Sequence, residues 1–146
     1  MTTKPTLDHI GIAVRSIEEA KIYRALGLEI AHVETVETQG VKTAFLSVGD
    51  SNLELLEPLS PDSGVARFIE KRGEGIHHIC LRVTNIEEHL ARLKAEGFRL
   101  IHEAPVPGAH GCRVAFLHPA AGNGVLIELS ESGHGGVALT PSDEAS

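Results

Sequence analysis

The stretch LDHIGIAV, residues 7–14, returns later in the chain as IHHICLRV, residues 76–83, with His9 matching His78. Both copies place a histidine on the strand face opposite to regularly spaced apolar side chains, as in a half-buried β-strand. The two histidines are 69 residues apart. A match at a fixed offset indicates an internal repeat. The chain is therefore predicted to consist of two related halves.

A helix-like segment follows each copy and contains the same Ile-Glu-Glu triplet. These segments begin at Ser16 and Asn85, two residue types that favour helix N-caps, and each has a glutamate three positions later, as in a capping box. Farther on, residues 43–59 and 114–131 each have the pattern of a strand, a glycine-containing turn and a second strand. Each half is therefore predicted to form a strand, a helix and about three strands.

Two βαβββ modules in tandem predict an α+β fold in which a curved mixed sheet surrounds a metal-binding cleft. We place the modules at residues about 6–59 and 75–131, joined by a linker helix at about 61–73, in a single domain spanning 1–132. The total of 146 residues is within the usual range for one domain. Residues 133–146 are rich in glycine and then polar, so we expect a disordered tail.

The composition disfavours several kinds of partner. With 13 Lys and Arg against 20 Asp and Glu, the net charge of −7 disfavours a nucleic-acid groove and a polybasic membrane anchor. No apolar run reaches the roughly 18 residues of a membrane helix, and the first residues lack a signal-peptide core. Cys80 and Cys112 do not suggest a disulfide framework. We therefore expect a cytoplasmic protein that binds neither nucleic acid nor membranes.

The alternation of each repeated strand assigns its histidines to a face. In the first strand, Ile10, Ile12 and Val14 form the core face. His9 therefore lies on the opposite face, toward the cleft. In the second strand the same alternation places His78 toward the cleft and leaves His77 outside it.

Each half also carries a glutamate inside an apolar strand, Glu54 in LELLE and Glu128 in VLIELS. Alternation turns both carboxylates toward the cleft. Their predicted core-facing neighbours are Leu53, Leu55, Val125, Ile127 and Leu129. Removing a carboxylate from water is costly unless it is paired or bound to a metal, and no Lys or Arg occupies a repeat-related position that would neutralise both.

A divalent-metal site is the simplest explanation of these four polar side chains. The predicted ligands are His9, Glu54, His78 and Glu128. Mixed imidazole and carboxylate ligation suits first-row metals and argues against a thiolate-type structural zinc site. Mn²⁺, Co²⁺, Fe²⁺, Ni²⁺ and Zn²⁺ all suit these ligands. Four protein ligands in an octahedral shell would leave two positions for water or a chelating substrate.

The paired modules and these four residues resemble the vicinal oxygen chelate superfamily over roughly residues 6–131. Within it, the chain is most similar to the methylmalonyl-CoA epimerase family. The similarity is carried by LDHIGIAV, by LELLEPL followed by DSGVARFIEKRGEGIHHICLRV, by GAHGCRVAFLHP and by GVLIELSE. The long run that ends at Val83 and the GAHG to FLHP stretch are its more specific parts.

This resemblance implies a small metal-dependent homodimer that acts on an acyl-CoA substrate and interconverts (2R)- and (2S)-methylmalonyl-CoA. A proton would leave and return at the α carbon through a metal-stabilised enolate. The resemblance makes Glu128 the first candidate base and, by pseudosymmetry, Glu54 its counterpart, although some relatives carry Gln where Glu54 stands. The CoA phosphates would need basic side chains. The candidates are Lys42, Arg67, Lys71, Arg72 and Arg113.

Two other functions stay open. One is a different metal enzyme of the superfamily, such as a lactoylglutathione lyase or an extradiol dioxygenase. A dioxygenase would use two histidines and one carboxylate on Fe(II), which would make Glu54 dispensable. The other is a non-enzymatic module that binds small molecules. Its cleft would be rich in aromatic side chains, whereas this chain has no Trp and one Tyr.

Overall fold

The structure is a computed structural model that describes residues 4–132. The predicted disordered tail, residues 133–146, lies outside the described residues. In chain order the elements are β1 (Thr6–Ala13), α1 (Ile22–Ala25), β2 (Ile30–Val36), β3 (Val41–Val48), β4 (Ser51–Pro58), α2 (Gly64–Arg72), β5 (Gly75–Arg82), α3 (Ile86–Ala95), β6 (Val106–Pro107), β7 (Arg113–Leu117) and β8 (Ile127–Glu131). The predicted α+β class and the repeated order of one strand, one helix and three strands are confirmed.

The chain divides into two compact units. The first, residues 7–80, is called here the N-terminal unit. The second, residues 81–132 together with 4–6, is called the C-terminal unit. The boundary falls inside β5, a few residues beyond the start of the predicted second module. None of the helices within residues 4–132 is long and apolar enough to span a bilayer.

In the N-terminal unit, β1 lies between β4 and β5. It pairs in parallel with β4, with Gly11 opposite Glu54. β4 pairs antiparallel with β3, and β3 pairs antiparallel with β2. The strands that carry His9, Glu54 and His78 are therefore immediate neighbours in one sheet.

An aliphatic cluster packs on the core face of these strands. Its buried members are Val14, Ile17, Ala44, Leu46 and Leu55, with Ile12, Ala20, Tyr23, Leu28, Ile30 and Leu53 packed around them. The predicted core positions 12, 14, 53 and 55 are thus confirmed, whereas Ile10 is half-buried and does not belong to this cluster. On the other face of β1, Ala13 is fully buried. Both faces of β1 are therefore covered, which removes His9 from bulk water.

The C-terminal unit has its own core. β8 pairs antiparallel with β7, which pairs antiparallel with β6. The buried cluster consists of Val83, Ile86, Leu90, Ala115, Leu117 and Leu129. Ile127 packs against this cluster, so its predicted orientation is confirmed together with that of Leu129. The prediction for Val125 is wrong: it precedes β8 and is 43% exposed, because the turn after β7 extends to Val125, whose N–H bonds the Gly122 carbonyl (3.1 Å).

The first helix is shorter than the sequence predicts. Ser16 Oγ accepts the Glu19 N–H at 3.2 Å, as the capping pattern indicates, but only Ile22–Ala25 is regular helix. The Ile17 N–H donates instead to Glu57 Oε1 at 2.8 Å, and the Ile17 side chain is buried. The chain forms a turn up to Ala20, whose N–H reaches the Ser16 and Ile17 carbonyls at 3.1 and 3.2 Å, and the regular helix begins only at Ile22.

The other two helices agree with the sequence, and one differs in its cap. α2 lies within the predicted range 61–73, and its N-cap Ser63 Oγ accepts the Ala66 N–H at 3.1 Å. Asn85 precedes α3 as predicted, but it has a left-handed backbone (φ 55°) and its side chain makes no cap. The Ile86 N–H donates instead to Glu131 Oε1 at 2.8 Å. A carboxylate from β8 therefore accepts a hydrogen bond from a backbone N–H in the first turn of α3, which has no partner within the helix.

We predict that Leu55→Ala lowers the free energy of unfolding by about 2–5 kcal/mol, because it opens a cavity in the N-terminal core. Leu55 is 1% exposed, whereas Leu26 is 70% exposed. The matched control Leu26→Ala should therefore change stability by about 0.5 kcal/mol or less. Urea unfolding followed by circular dichroism measures both changes. Equal losses in the two variants would contradict the assignment of this core.

Candidate metal centre

The centre of the site is a pair of buried imidazoles. His9 Nε2 and His78 Nε2 are 3.1 Å apart, and the two rings meet at an angle of 84°. The residues are 6% and 4% exposed. Two nitrogen ligands that bind one ion at about 2.1 Å and at a right angle would be about 3.0 Å apart. The pair therefore fits two neighbouring corners of a single coordination shell.

A buried carboxylate lies against this pair. Glu54 Oε2 is 2.9 Å from His9 Nδ1, and Glu54 is 8% exposed. The register of β1 with β4 explains the contact, because Glu54 stands opposite Gly11, two residues from His9 and on the same face. The structure thus brings together His9, Glu54 and His78. Glu54 contacts the ring nitrogen of His9 that faces away from His78.

Glu128, the fourth predicted ligand, belongs to the C-terminal unit. It lies on β8 opposite Phe116 of β7 and is 4% exposed. A carboxylate this deeply buried needs a partner of opposite charge, a hydrogen-bond donor or a metal ion, since burial of an unpaired charge is strongly unfavourable. Its roles as metal ligand and base stay predictions.

A glycine makes room for His78. A Cβ atom on Gly11 would lie 2.3 Å from Cε1 and 2.6 Å from Nδ1 of the His78 ring. Any side chain at this position would displace the imidazole. The repeat does not reveal this requirement, because Cys80 stands at the position equivalent to Gly11. Only the packing of β1 beside β5 identifies Gly11 as part of the site.

Sequence reasoning also missed two neighbours of the histidines. Asp8 Oδ2 is 2.7 Å from His9 Nδ1, and His77 Nδ1 is 2.9 Å from His78 Nδ1. Strand alternation places His77 outside the cleft. In a histidine side chain, however, Nδ1 is close to the backbone, and Nδ1 of His77 therefore reaches the ring of the adjacent His78. The available signal was the repeat itself, which aligns Asp8 with His77.

The donor atoms suit a borderline first-row cation. Besides the imidazole pair, ligand atoms of Asp8, His9 and Cys80 all lie within 4.8 Å of one another. Cys80 is fully buried, and neither Cys80 nor Cys112 forms a disulfide. The residues present in the N-terminal unit therefore fit a divalent metal ion.

One candidate for binding the CoA phosphates is engaged in ion pairs. Arg113 donates hydrogen bonds to Glu87 and to Glu131, the latter at 3.0 Å. The hydrogen bond from Arg113 lowers the pKa of the Glu87 carboxyl below its ordinary value. Arg113 thereby links α3, β7 and β8 within the C-terminal unit, which gives it a structural role.

The comparisons with known proteins agree with this geometry. The family model described as the Glyoxalase/Bleomycin resistance protein/Dioxygenase superfamily matches residues 8–116. The chain is 47% identical to the Bacillus subtilis (strain 168) protein YqjC, over 86% of this chain and 91% of that protein. It is 41% identical to the ethylmalonyl-CoA/methylmalonyl-CoA epimerase of Cereibacter sphaeroides, over 86% of this chain and 96% of the relative.

A solved structure of a methylmalonyl-CoA epimerase in complex with methylmalonyl-CoA and NH4+ matches with a TM-score of 0.82 and 38% identity. The match covers 89% of this chain and 96% of that chain. Identity at this level over nearly the whole length of each partner extends well beyond a shared fold. The chain therefore belongs to the Glyoxalase/Bleomycin resistance protein/Dioxygenase superfamily and, within it, to the same family of enzymes as the methylmalonyl-CoA epimerases.

Proposed function

We propose that this chain is a metal-dependent methylmalonyl-CoA epimerase that interconverts the (2R) and (2S) forms of its substrate. The observation that carries the proposal is the buried pair of imidazoles whose Nε2 atoms lie 3.1 Å apart. This pair occurs in a chain that is 41% identical to an ethylmalonyl-CoA/methylmalonyl-CoA epimerase over most of both lengths. The site can hold a cation, and the relatives act on acyl-CoA thioesters. Both observations support the epimerase function.

The proposed metal ligands are His9, Glu54, His78 and Glu128. The repeat supports this set because each half supplies one histidine and one glutamate, and all four side chains are buried. Co²⁺ is the first candidate, and Mn²⁺, Ni²⁺ and Zn²⁺ suit the same ligands. A divalent cation in the site would bind the thioester and carboxylate oxygens of the substrate and stabilise the negative charge of the enolate.

Epimerisation removes a proton from one face of the α carbon and delivers one to the opposite face. We assign proton abstraction to Glu128 and the matching role on the other face to Glu54. General acid–base assistance of this kind contributes about 10²–10⁴-fold to the rate. The contact between Glu54 Oε2 and His9 Nδ1, at 2.9 Å, holds one of the two carboxylates in place.

The substrate would be held by the cation and by oxygen atoms rather than by ring stacking. The chain has no Trp and one Tyr, and that tyrosine is the one aromatic ring among the residues of the aliphatic cluster of the N-terminal unit. We further propose a homodimer, which analytical ultracentrifugation would test. A reducing cytoplasmic environment suits Cys80 and Cys112, which are not joined in a disulfide.

We predict that the purified protein, loaded with Co²⁺, catalyses exchange of the α proton of methylmalonyl-CoA for deuterium in D₂O. Enolate formation exposes the α carbon to a base that equilibrates with solvent, so exchange should accompany epimerisation. Proton NMR measures the loss of the α signal, with a protein-free sample to correct for spontaneous exchange. A folded, Co²⁺-loaded protein that does not exceed the protein-free rate would refute the proposed function.

Two substitutions test the two proposed roles of the site, proton transfer by Glu128 and metal binding by His9. We expect Glu128→Gln to lower kcat by about 10²-fold or more, because the amide cannot accept the proton. We expect His9→Ala to lower the bound Co²⁺, because it removes one imidazole ligand. Exchange kinetics and metal analysis of the dialysed proteins measure these effects. Normal turnover in the first variant and normal metal content in the second would show that the site is placed wrongly.

We also predict that Gly11→Ala lowers the Co²⁺ affinity of the apoprotein by about tenfold or more, because the new methyl group displaces the His78 ring. Gly64→Ala is the matched control, since a Cβ there meets nothing within 4 Å. Competition titration against a chromophoric chelator measures the affinity, and circular dichroism verifies folding. Equal affinities in the two variants would contradict the close packing of Gly11 on His78.

A further inference from the structure

We infer that the residue immediately before each metal-binding histidine positions that histidine and sets its tautomer. Asp8 does so for His9, and His77 does so for His78. The inference rests on the proposed function only in taking the two histidines as metal ligands. It assigns to Asp8 and His77 a role that concerns metal affinity rather than the chemistry of the substrate.

The requirement follows from the imidazole pair. His9 Nε2 and His78 Nε2 are 3.1 Å apart, so a cation shared by the two rings would bind these atoms. A ring nitrogen that binds a metal carries no proton, and a neutral imidazole has one N–H. That proton must therefore be on Nδ1 in both rings. Each buried Nδ1–H then needs an acceptor, because an unpaired buried donor is costly.

On the His9 side the acceptor is a carboxylate. Asp8 Oδ2 lies 2.7 Å from Nδ1, which is a short distance typical of a charge-assisted hydrogen bond. Glu54 Oε2 lies slightly farther from the same nitrogen, at 2.9 Å. Because Asp8 can accept the Nδ1 proton, Glu54 is not required for that purpose.

On the His78 side the acceptor is a second imidazole. The two Nδ1 atoms are 2.9 Å apart, so one of them donates and the other accepts. With the proton of His78 on Nδ1, His77 must accept through its own Nδ1 and carry its proton on Nε2. Only this combination of tautomers leaves Nε2 of His78 able to bind a cation.

The linker helix holds His77 in this position. The ring of Phe68, on α2, packs edge-on against the ring of His77, with centroids 5.0 Å apart and an interplanar angle of 70°. The Arg72 guanidinium lies 5.7 Å from the centre of the Phe68 ring. α2 therefore supports the histidine pair through His77, although it contributes no proposed ligand.

The internal repeat supports the inference independently. Asp8 and His77 occupy the same repeat position, one residue before each histidine, and both place an acceptor atom within 2.9 Å of the following Nδ1. The residue types differ, but a carboxylate oxygen and an unprotonated ring nitrogen perform the same function. Orientation of metal-binding histidines by acceptors at the other ring nitrogen typically raises metal affinity 10–100-fold.

We would test the role of His77 with the pair His77→Asn and His77→Leu. The Asn Oδ1 atom replaces Nδ1 as an acceptor, whereas Leu places a methyl group there. Both variants lose the ring–ring contact with Phe68, and Leu retains apolar packing there, so a merely structural role would not favour Asn over Leu. Co²⁺ alone is titrated into each folded apoprotein against a chelator. We expect about wild-type affinity for His77→Asn and a loss of about 10–100-fold for His77→Leu. Equal affinities in the two variants would overturn the inference.

A second measurement uses the unmodified protein loaded with diamagnetic Zn²⁺ and labelled with ¹⁵N-histidine. We expect a scalar coupling through the hydrogen bond between Nδ1 of His78 and Nδ1 of His77, with the second proton of the pair on Nε2 of His77. A proton on Nδ1 of His77 would overturn the inference. Neither measurement uses methylmalonyl-CoA. A failed exchange assay therefore leaves this result intact, and active exchange without the Asn and Leu difference refutes this inference alone.

Discussion

The contact on which the site depends is the meeting of two imidazole nitrogens, His9 Nε2 and His78 Nε2, at 3.1 Å in a buried region of the sheet. It requires β1 and β5 to be neighbours, so that the two rings come from adjacent strands. It also requires a glycine at position 11, because any Cβ there would overlap the His78 ring. The strand order and this single small residue thus create a position that a divalent cation fits.

Burial of polar side chains is possible only because they interact with one another. A buried donor or acceptor without a partner costs about 1–3 kcal/mol, and a charged group costs more. Asp8 and Glu54 lie within 2.9 Å of His9, and His77 lies within the same distance of His78. The N-terminal unit therefore holds a connected polar network beside an aliphatic core. This network holds His9 and His78, two of the proposed metal ligands, in place.

The order of the elements and the equivalence of the two modules could be predicted from the sequence, because residues at matching positions of an internal repeat occupy equivalent positions in the fold. The match of residues 7–14 with 76–83 identified the modules, and strand alternation selected His78 over His77 as the residue turned toward His9. The errors occurred where tertiary contacts compete with local pattern. The regular part of the first helix covers only Ile22–Ala25, and Glu131 rather than the Asn85 side chain accepts the Ile86 N–H at the start of α3.

The sequence by itself determined the α+β class, the order of the elements and the presence of histidine and glutamate at equivalent positions of two modules. These properties follow from periodicity and from residue type, both of which are local. Only the tertiary structure decided that Gly11 must lack a side chain, that Glu54 contacts Nδ1 of His9, and that Asp8 and His77 lie within 2.9 Å of the Nδ1 atoms of His9 and His78. The reason is physical: hydrogen bonds and steric overlap depend on separations of tenths of an ångström between atoms, which strand packing sets.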